Sequence, residues 1–239
     1  MTNSEYAIRK AEPRSQLPEV DLLPVISHDG QNLDIAVFGP NNYRNNLSSM
    51  QKAYFHSAQL PNITFRPATT SESISAVSYD FENMAKPKIF DPRWLQAGYI
   101  VRTKDGVFTN TTETDDSRLK QLLNGAEKVN GIYLINDNTA FAPYDSFTTG
   151  TQDCDTFAHG GLARALEHTS EKVAKNLREI ASPKFYKRGV NVIYFDSVSE
   201  PALRVASLYS NWYIDDGGLH VDGDGWNGGN DGCAFGVSK

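Results

Sequence analysis

The feature that most constrains this chain is a segment of restricted alphabet. Residues 209–233 read Tyr-Ser-Asn-Trp-Tyr-Ile-Asp-Asp-Gly-Gly-Leu-His-Val-Asp-Gly-Asp-Gly-Trp-Asn-Gly-Gly-Asn-Asp-Gly-Cys. Apolar residues recur sparsely, at Trp212, Ile214, Leu219, Val221 and Trp226. Between them stand only Asn, Asp, Gly, Ser, Tyr, His and Cys. Lys, Glu and Gln make up 30 of the 239 residues, yet none falls in this window, and Arg and Met are missing from it too. Gly, Asn and Asp favour turns and accept positive φ. The window is therefore expected as short strands and loops pinned by two tryptophans.

The same window concentrates the charge. The chain carries 23 Lys+Arg and 29 Asp+Glu, a formal net charge of -6. Five aspartates, Asp215, Asp216, Asp222, Asp224 and Asp231, stand in the window with no cation, so the remainder of the chain is nearly neutral. No basic block suggests a nucleic-acid groove. Glu171, Lys172, Lys175, Arg178, Lys184, Lys187 and Arg188 look basic together, but Glu179 and the helical spacing suggest a solvated face. No apolar run approaches the ~18 residues of a membrane span, so no membrane insertion is expected. The opening Met1-Thr-Asn-Ser-Glu-Tyr has no signal-peptide pattern. Two cysteines, Cys154 and Cys233, make neither a disulfide framework nor a zinc site. No cofactor or metal is expected.

Periodicity predicts an α+β domain. Residues 1–85 read as an N-terminal extension or small subdomain, with a strand over 33–38 stopped by Gly39-Pro40, a helix over 46–59, and strand-like Ile63–Phe65 and Ala76–Tyr79. From residue 86 the pattern is more regular. Tyr99–Thr103 and Val107–Thr109 form a hairpin around Asp105-Gly106. A short helix spans 116–127, and strands lie at 131–135 and 139–142. Two adjacent helices are expected, Thr156–Thr169 and Ser170–Ile180, the second opened by a Ser cap. Strands follow at 189–195, 202–208 and 234–237. Strands, then helices, then strands argue for a mixed, mostly antiparallel sheet rather than a parallel α/β one.

With its alphabet and apolar frame, the window resembles the variable region of a target protein of a diversity-generating retroelement, at the C-terminus of a C-type-lectin fold. In that family a reverse transcriptase miscopies template adenines, and Asn codons are preferred targets. Their products include Asn, Asp, Gly, Ser, Tyr, His and Cys, and never Lys, Glu, Gln, Met or Trp. Leu203–Leu208 leading into Trp212, and the closing Ala234-Phe235-Gly236-Val237, resemble the family's approach strand and last strand. The bacterial Arg-Gly-Gly-Ser-Trp and Gly-Phe-Arg type sequences are replaced here, which points to an archaeal or archaeal-viral branch. The resemblance implies a C-type-lectin-like domain over 86–239, a variable region over about 205–237, and a ligand-binding rather than enzymatic role. The implied partner is a variable protein or glycan receptor, and the implied place is a virion or cell surface.

A surface that must accept many sequences cannot depend on the varied residues for stability. The frame should carry the packing, at roughly 1.5–3 kcal/mol per buried large apolar side chain. The varied side chains should face outward: Tyr209, Ser210, Asn211, Tyr213, Asp215, Asp216, Gly217, Gly218, His220, Asp222, Asp224, Asn227, Gly228, Gly229, Asn230, Asp231 and Cys233. Gly223, Gly225 and Gly232 read equally well as structural turn glycines. Tyr supplies contact area at few rotatable bonds, and Asn, Ser, Gly and Asp supply adaptable polar contacts. The acidic charge of this copy favours a basic or metal-bridged ligand patch.

Two other chemistries compete. Asp222-Gly-Asp224-Gly-Trp226-Asn227-Gly228 opens like an EF-hand loop, but position five is Trp226 and position twelve is Cys233, so only a looser calcium site of Asp and Asn oxygens stays open. Asp153-Cys154-Asp155 precedes a helix, where a thiolate gains from the N-terminal dipole. With His220 it would make a cysteine hydrolase or deamidase dyad. The flanking aspartates oppose that reading by raising the thiol's pKa.

Overall fold

The computed structural model describes residues 20–22, 26–41, 65–83, 94–210, 217–224 and 232–238. The expected helix over 46–59 lies outside them, as do Ile63 and Thr64 of one expected strand. The described chain is a mixed α+β structure around one large, mostly antiparallel sheet. None of its helices is long and apolar enough to cross a membrane.

Four short strands come first: β1 (Val20–Leu22), the hairpin pair β2 (Ile26–His28) and β3 (Gln31–Leu33), and β4 (Ile35–Asn41). The strand β4 runs through Gly39-Pro40, where a stop was expected. β5 (Phe65–Pro67) follows. Then comes helix α1 (Thr70–Asn83), where the sequence suggested a strand at Ala76–Tyr79. The physical reason is a capping box. Thr69 Oγ1 accepts from the Glu72 amide at 3.2 Å, and the Glu72 carboxylate accepts from the Thr69 amide at 2.8 Å. Arg66 adds a charged hydrogen bond to Glu72 at 2.7 Å, which helps to hold that carboxyl below its usual range against the opposing effect of burial.

β6 (Trp94–Arg102) and β7 (Gly106–Thr109) form the expected hairpin, and α2 (Asp116–Asn124) is capped by Asp115, which accepts from the Arg118 amide at 3.0 Å. β8 (Glu127–Val129), β9 (Ile132–Leu134) and β10 (Ala140–Pro143) extend that side of the sheet. The edge strand β11 (Gly150–Gln152) leads into three short helices, not two: α3 (Cys154–His159), α4 (Gly161–Leu166) and α5 (Lys175–Ile180). The expected long helix breaks at Gly160. Gly161 sits so close to Ser146 that an added Cβ would lie 2.0 Å from its hydroxyl. The N-cap of α5 is Ala174 rather than Ser170, and it makes no side-chain cap bond. The α5 amides of Asn176 and Leu177 donate instead to the Glu167 carboxylate, at 3.0 and 3.3 Å.

The last strands are β12 (Val190–Ile193), β13 (Ala202–Ser210), β14 (Leu219–Asp222) and β15 (Gly232–Ser238). The sheet runs β11-β12-β14-β13-β6-β7-β10-β9-β8, and β15 pairs with β4, β5 and β6. Two pairings are parallel, β12 with β14 and β15 with β6. Successive strand residues point to opposite faces. On one face Ile100, Val190, Val192, Leu208, Leu219, Val221 and Phe235 join α1, α3, α4 and α5 in the main core. On the other, Val101, Phe108 and Phe141 pack against Leu119 of α2. Ile35, Val37, Phe65, Ile74, Val77 and Phe81 belong to the main core, so the described part of residues 1–85 is built into the domain rather than appended to it.

Candidate recognition face

The described window residues are organised by strands β13 and β14. These pair antiparallel in the register Ser207–Asp222, Leu208–Val221, Tyr209–His220 and Ser210–Leu219. Leu208, Leu219 and Val221 are at most 1% exposed and lie in the core. Alternation then turns Tyr209, His220, Ser207 and Asp222 to the opposite face. There the Tyr209 and His220 rings stack with centroids 4.7 Å apart and planes 19° apart, both half-buried. Burial, helped by the neighbouring Asp222 charge and Tyr194, pushes the Tyr209 hydroxyl up to about 12. It therefore stays a neutral hydrogen-bonding tip at physiological pH.

The row continues beyond the window. His220 pairs with Asn191 of β12, which pairs with Thr151 of β11. Asn191 is half-buried and Thr151 exposed. At the end of β12 stands Tyr194, 56% exposed. None of these three was singled out from sequence. The Val-Asn-Val alternation of 190–192 carried the signal for Asn191, but a run expected to continue as strand to Phe195 hid the end of the strand at Ile193.

A second row lies beside the first. Gln96 of β6 pairs with Ser207, and Ser207 with Asp222. All three are at most 6% exposed. The Gln96 amide and the Ser207 hydroxyl have no hydrogen-bond partner among the described residues, an arrangement that costs stability. The Asp222 carboxyl accepts from the Asp224 amide at 2.7 Å, and burial pushes its pKa up. Asp222 thus lies on the outward face but is buried, so its expected exposure fails, and it closes a local turn with this bond. The expected exposure fails also for Cys233, 0% exposed and packed on the core side opposite Leu95, because that strand position alternates inward.

The other window positions divide. Asp224 is half-buried and ion-paired with Arg204 Nε at 2.6 Å. Gly217, at φ +83°, and Gly218 are buried, the former in a conformation that favours glycine. A Cβ at Gly223 would sit 2.6 Å from the Tyr194 carbonyl oxygen, so that glycine is structural. Ser210 closes β13, and Gly232 opens β15. Asn211, Tyr213, Asp215, Asp216, Asn227, Gly228, Gly229, Asn230 and Asp231 lie outside the described residues, as does Gly225.

Cys154 and His220 do not meet. Cys154 lies in the main core with Leu219 and Val221, and His220 points to the other face of the sheet. A cleft of about 380 Å³ opens beside Cys154, lined by Thr151, Tyr186 and Arg188 among others, without His220. The thiol donates to the Arg178 carbonyl at 3.1 Å, and burial raises its pKa. These are properties of a packed thiol rather than of a thiolate nucleophile. Among the described residues no three His, Cys, Asp or Glu side chains converge to hold a metal ion. No protein-family model matches the chain, and neither curated proteins nor solved structures provided a match.

Proposed function

We propose that this chain is a ligand- or receptor-binding protein of C-type-lectin type whose C-terminal surface is diversified by retroelement adenine mutagenesis. Its targets would be variable protein or glycan receptors. The observation that carries the reading is the division of labour across β13 and β14. The frame residues Leu219 and Val221 enter the core, whereas the restricted-alphabet residues Tyr209 and His220 stack on the opposite face. Exchange of such outward side chains leaves the packed side untouched. A mixed, mostly antiparallel sheet with α1, α3, α4 and α5 on one face, α2 on the other and the window among its last strands is compatible with the lectin-type scaffold.

The test is at the DNA level. The expected result is a near-copy of the segment encoding residues 205–237, close to the gene and beside a reverse transcriptase, differing from it only where the copy has adenine. Differences scattered over all four bases, or no such copy in a complete genome, would remove the reading. The separation of Cys154 from His220 by the sheet takes away the geometric basis of the cysteine-enzyme alternative.

A further inference from the structure

Apart from the recognition face, a cavity of about 210 Å³ opens where three segments meet. The β2–β3 hairpin brings His28 and Asp29 to it, α1 brings Ser75, and the chain between α4 and α5 brings His168 and Val173. None of its lining residues belongs to β12, β13 or β14. Ser75 Oγ lies 2.8 Å from His28 Nδ1, and His28 Nε2 faces the Asp29 carboxylate at 3.5 Å. The turn places that carboxylate. Asp29 and Gly30 take φ +47° and +76°, the two-residue hairpin loop that favours Asp-Gly. A carboxylate facing Nε2 holds the imidazole proton on that nitrogen. Nδ1 then presents its lone pair, and the 2.8 Å contact is Ser75 donating to His28. A hydroxyl, an imidazole and a carboxylate in this order are a nucleophile, its general base and the group that orients the base.

The same cavity holds an unmet polar atom. His168 Nε2 is buried with no hydrogen-bond partner. The residue stands at φ +51°, directly after the C-cap of α4. The Thr169 amide donates to the Arg164 carbonyl at 3.0 Å, and the His168 amide to that of Ala165 at 3.2 Å. In such a helix end glycine is the usual residue at this position, so the turn itself does not require an imidazole. A buried N–H left without a partner can serve a charge that develops only during reaction. Among the described residues that line the cavity Val173 alone is aliphatic, so a short acyl group suits it better than a fatty chain. We propose that Ser75, His28 and His168 form an acyl-transfer site that hydrolyses esters of short carboxylic acids, with Asp29 as its positioning residue. Ser75 Oγ attacks the ester carbon while its proton passes to His28 Nδ1, and the carbonyl electron pair moves onto the oxygen that His168 Nε2–H receives. Collapse breaks the bond to the alcohol, which leaves with the proton from His28. Water then adds to the acyl carbon on Ser75, His28 again taking and returning a proton, and the carboxylic acid is released. The proposal does not rest on the reading of the recognition face.

The experiment treats the full chain with diisopropyl fluorophosphate and, separately, follows p-nitrophenyl acetate hydrolysis. An adduct mapped to Ser75 by peptide mass spectrometry and catalysed release of p-nitrophenolate are expected. Ser75→Ala should abolish the adduct and return release to near the uncatalysed rate. His28→Gln should slow release by about 10²-fold or more, as loss of a general base does. His168→Gly should slow it by about 10²-fold, as loss of an oxyanion donor does. It should melt no lower than the parent, because glycine accepts the left-handed conformation. Asp29→Asn keeps the turn and should slow release about two- to fivefold, the worth of an exposed ion pair. It should also lower the share of the Nε2–H tautomer of His28 in nitrogen NMR. p-Nitrophenyl octanoate should turn over more slowly than the acetate. No adduct on Ser75, release unaffected by Ser75→Ala or His168→Gly, His28 found as the Nδ1–H tautomer, or faster turnover of the octanoate would each overturn the proposal. Should Ser75→Ala fail to fold, the adduct on the parent decides, its presence on Ser75 supporting the site and its absence removing it.

Discussion

The two faces of strands β12, β14 and β13 are built on opposite principles. On the helix side, Val190, Val192, Leu208, Leu219 and Val221 are at most 1% exposed and belong to one continuous core. On the other side, Asn191, Tyr209 and His220 are half-buried, and Gln96 and Ser207 are buried without hydrogen-bond partners among the described residues. One face gathers apolar area, and the other tolerates unmet polar groups. The difference teaches that packing and solvent-facing polar groups are separated here by the alternation of side chains within single strands, which under the proposed function separates stability from recognition. It also shows where the separation stops. Asp222, Gly223 and Cys233 belong to the restricted alphabet yet serve the fold. Membership of that alphabet therefore does not establish tolerance to substitution.

The comparison is broken most easily on the helix side. Leu219→Ala should cost about 2–5 kcal/mol in urea unfolding, the transfer of the lost side chain plus the cavity it leaves. A loss below about 1 kcal/mol would mean that this face does not carry the packing. Among the ionisable groups on the helix side is Glu167 of the segment after α4. Glu167 is half-buried against the start of α5, and desolvation, opposed by the Asn176 and Leu177 amides, pushes its carboxyl up to about 7. A carboxyl raised on folding binds its proton more tightly in the native state. Its contribution is therefore complete below its unfolded pKa of about 4.5 and is lost as pH rises through about 7. Stability should fall over that interval by up to about 3 kcal/mol, and Glu167→Gln should flatten this part of the pH profile. A profile unchanged by the substitution would show the carboxylate to be better solvated than its position implies.

Gly223 tests the boundary between the faces. Gly223→Ala drives a methyl group toward the Tyr194 carbonyl and the Phe195 ring, with contacts of 2.6 and 2.9 Å that backbone or ring must relieve. The expected cost is about 1–3 kcal/mol, as for other overpacked sites. A neutral result would return Gly223 to the tolerant set. Sister copies of the protein, where they exist, should keep glycine at this position while His220 varies.

Much of the scaffold was legible because its signals are local. The Asp105-Gly106 hairpin and the 132–143 strands follow turn chemistry and alternation. The α1 helix was legible too, through Thr69-x-x-Glu72 and the spacing of Ile74, Val77 and Phe81, but a four-residue reading of Ala76–Tyr79 suggested a strand. The break at Gly160 and the short α5 were not legible. They depend on Ser146 approaching Gly161 and on Glu167 reaching the α5 amides, contacts between separate segments. In the site, composition singled out Tyr209 and His220, and alternation around Leu219 and Val221 placed them on one face. Composition could not mark Asn191 or Thr151, because these join the face only through strand pairing. Nor could it turn Cys233 inward, since that follows from its place in β15, where it alternates onto the core side with Phe235 and Val237.

The smallest effect belongs to the outward pair itself. Tyr209 and His220 stand directly opposite on antiparallel strands, and such stacked pairs are worth about 0.5–1.5 kcal/mol beyond area burial. A double-mutant cycle of Tyr209→Ser and His220→Asn, both within the window's alphabet, should give a coupling in that range. Each single variant should still fold with an unchanged urea m-value. Because the coupling is local, sister copies are expected to change the two positions together or to lose it at small cost. If either single variant instead costs as much as Leu219→Ala, the outward face is a second core. The separation of stability from recognition would then have to be drawn inside the loops that join these strands rather than across the sheet.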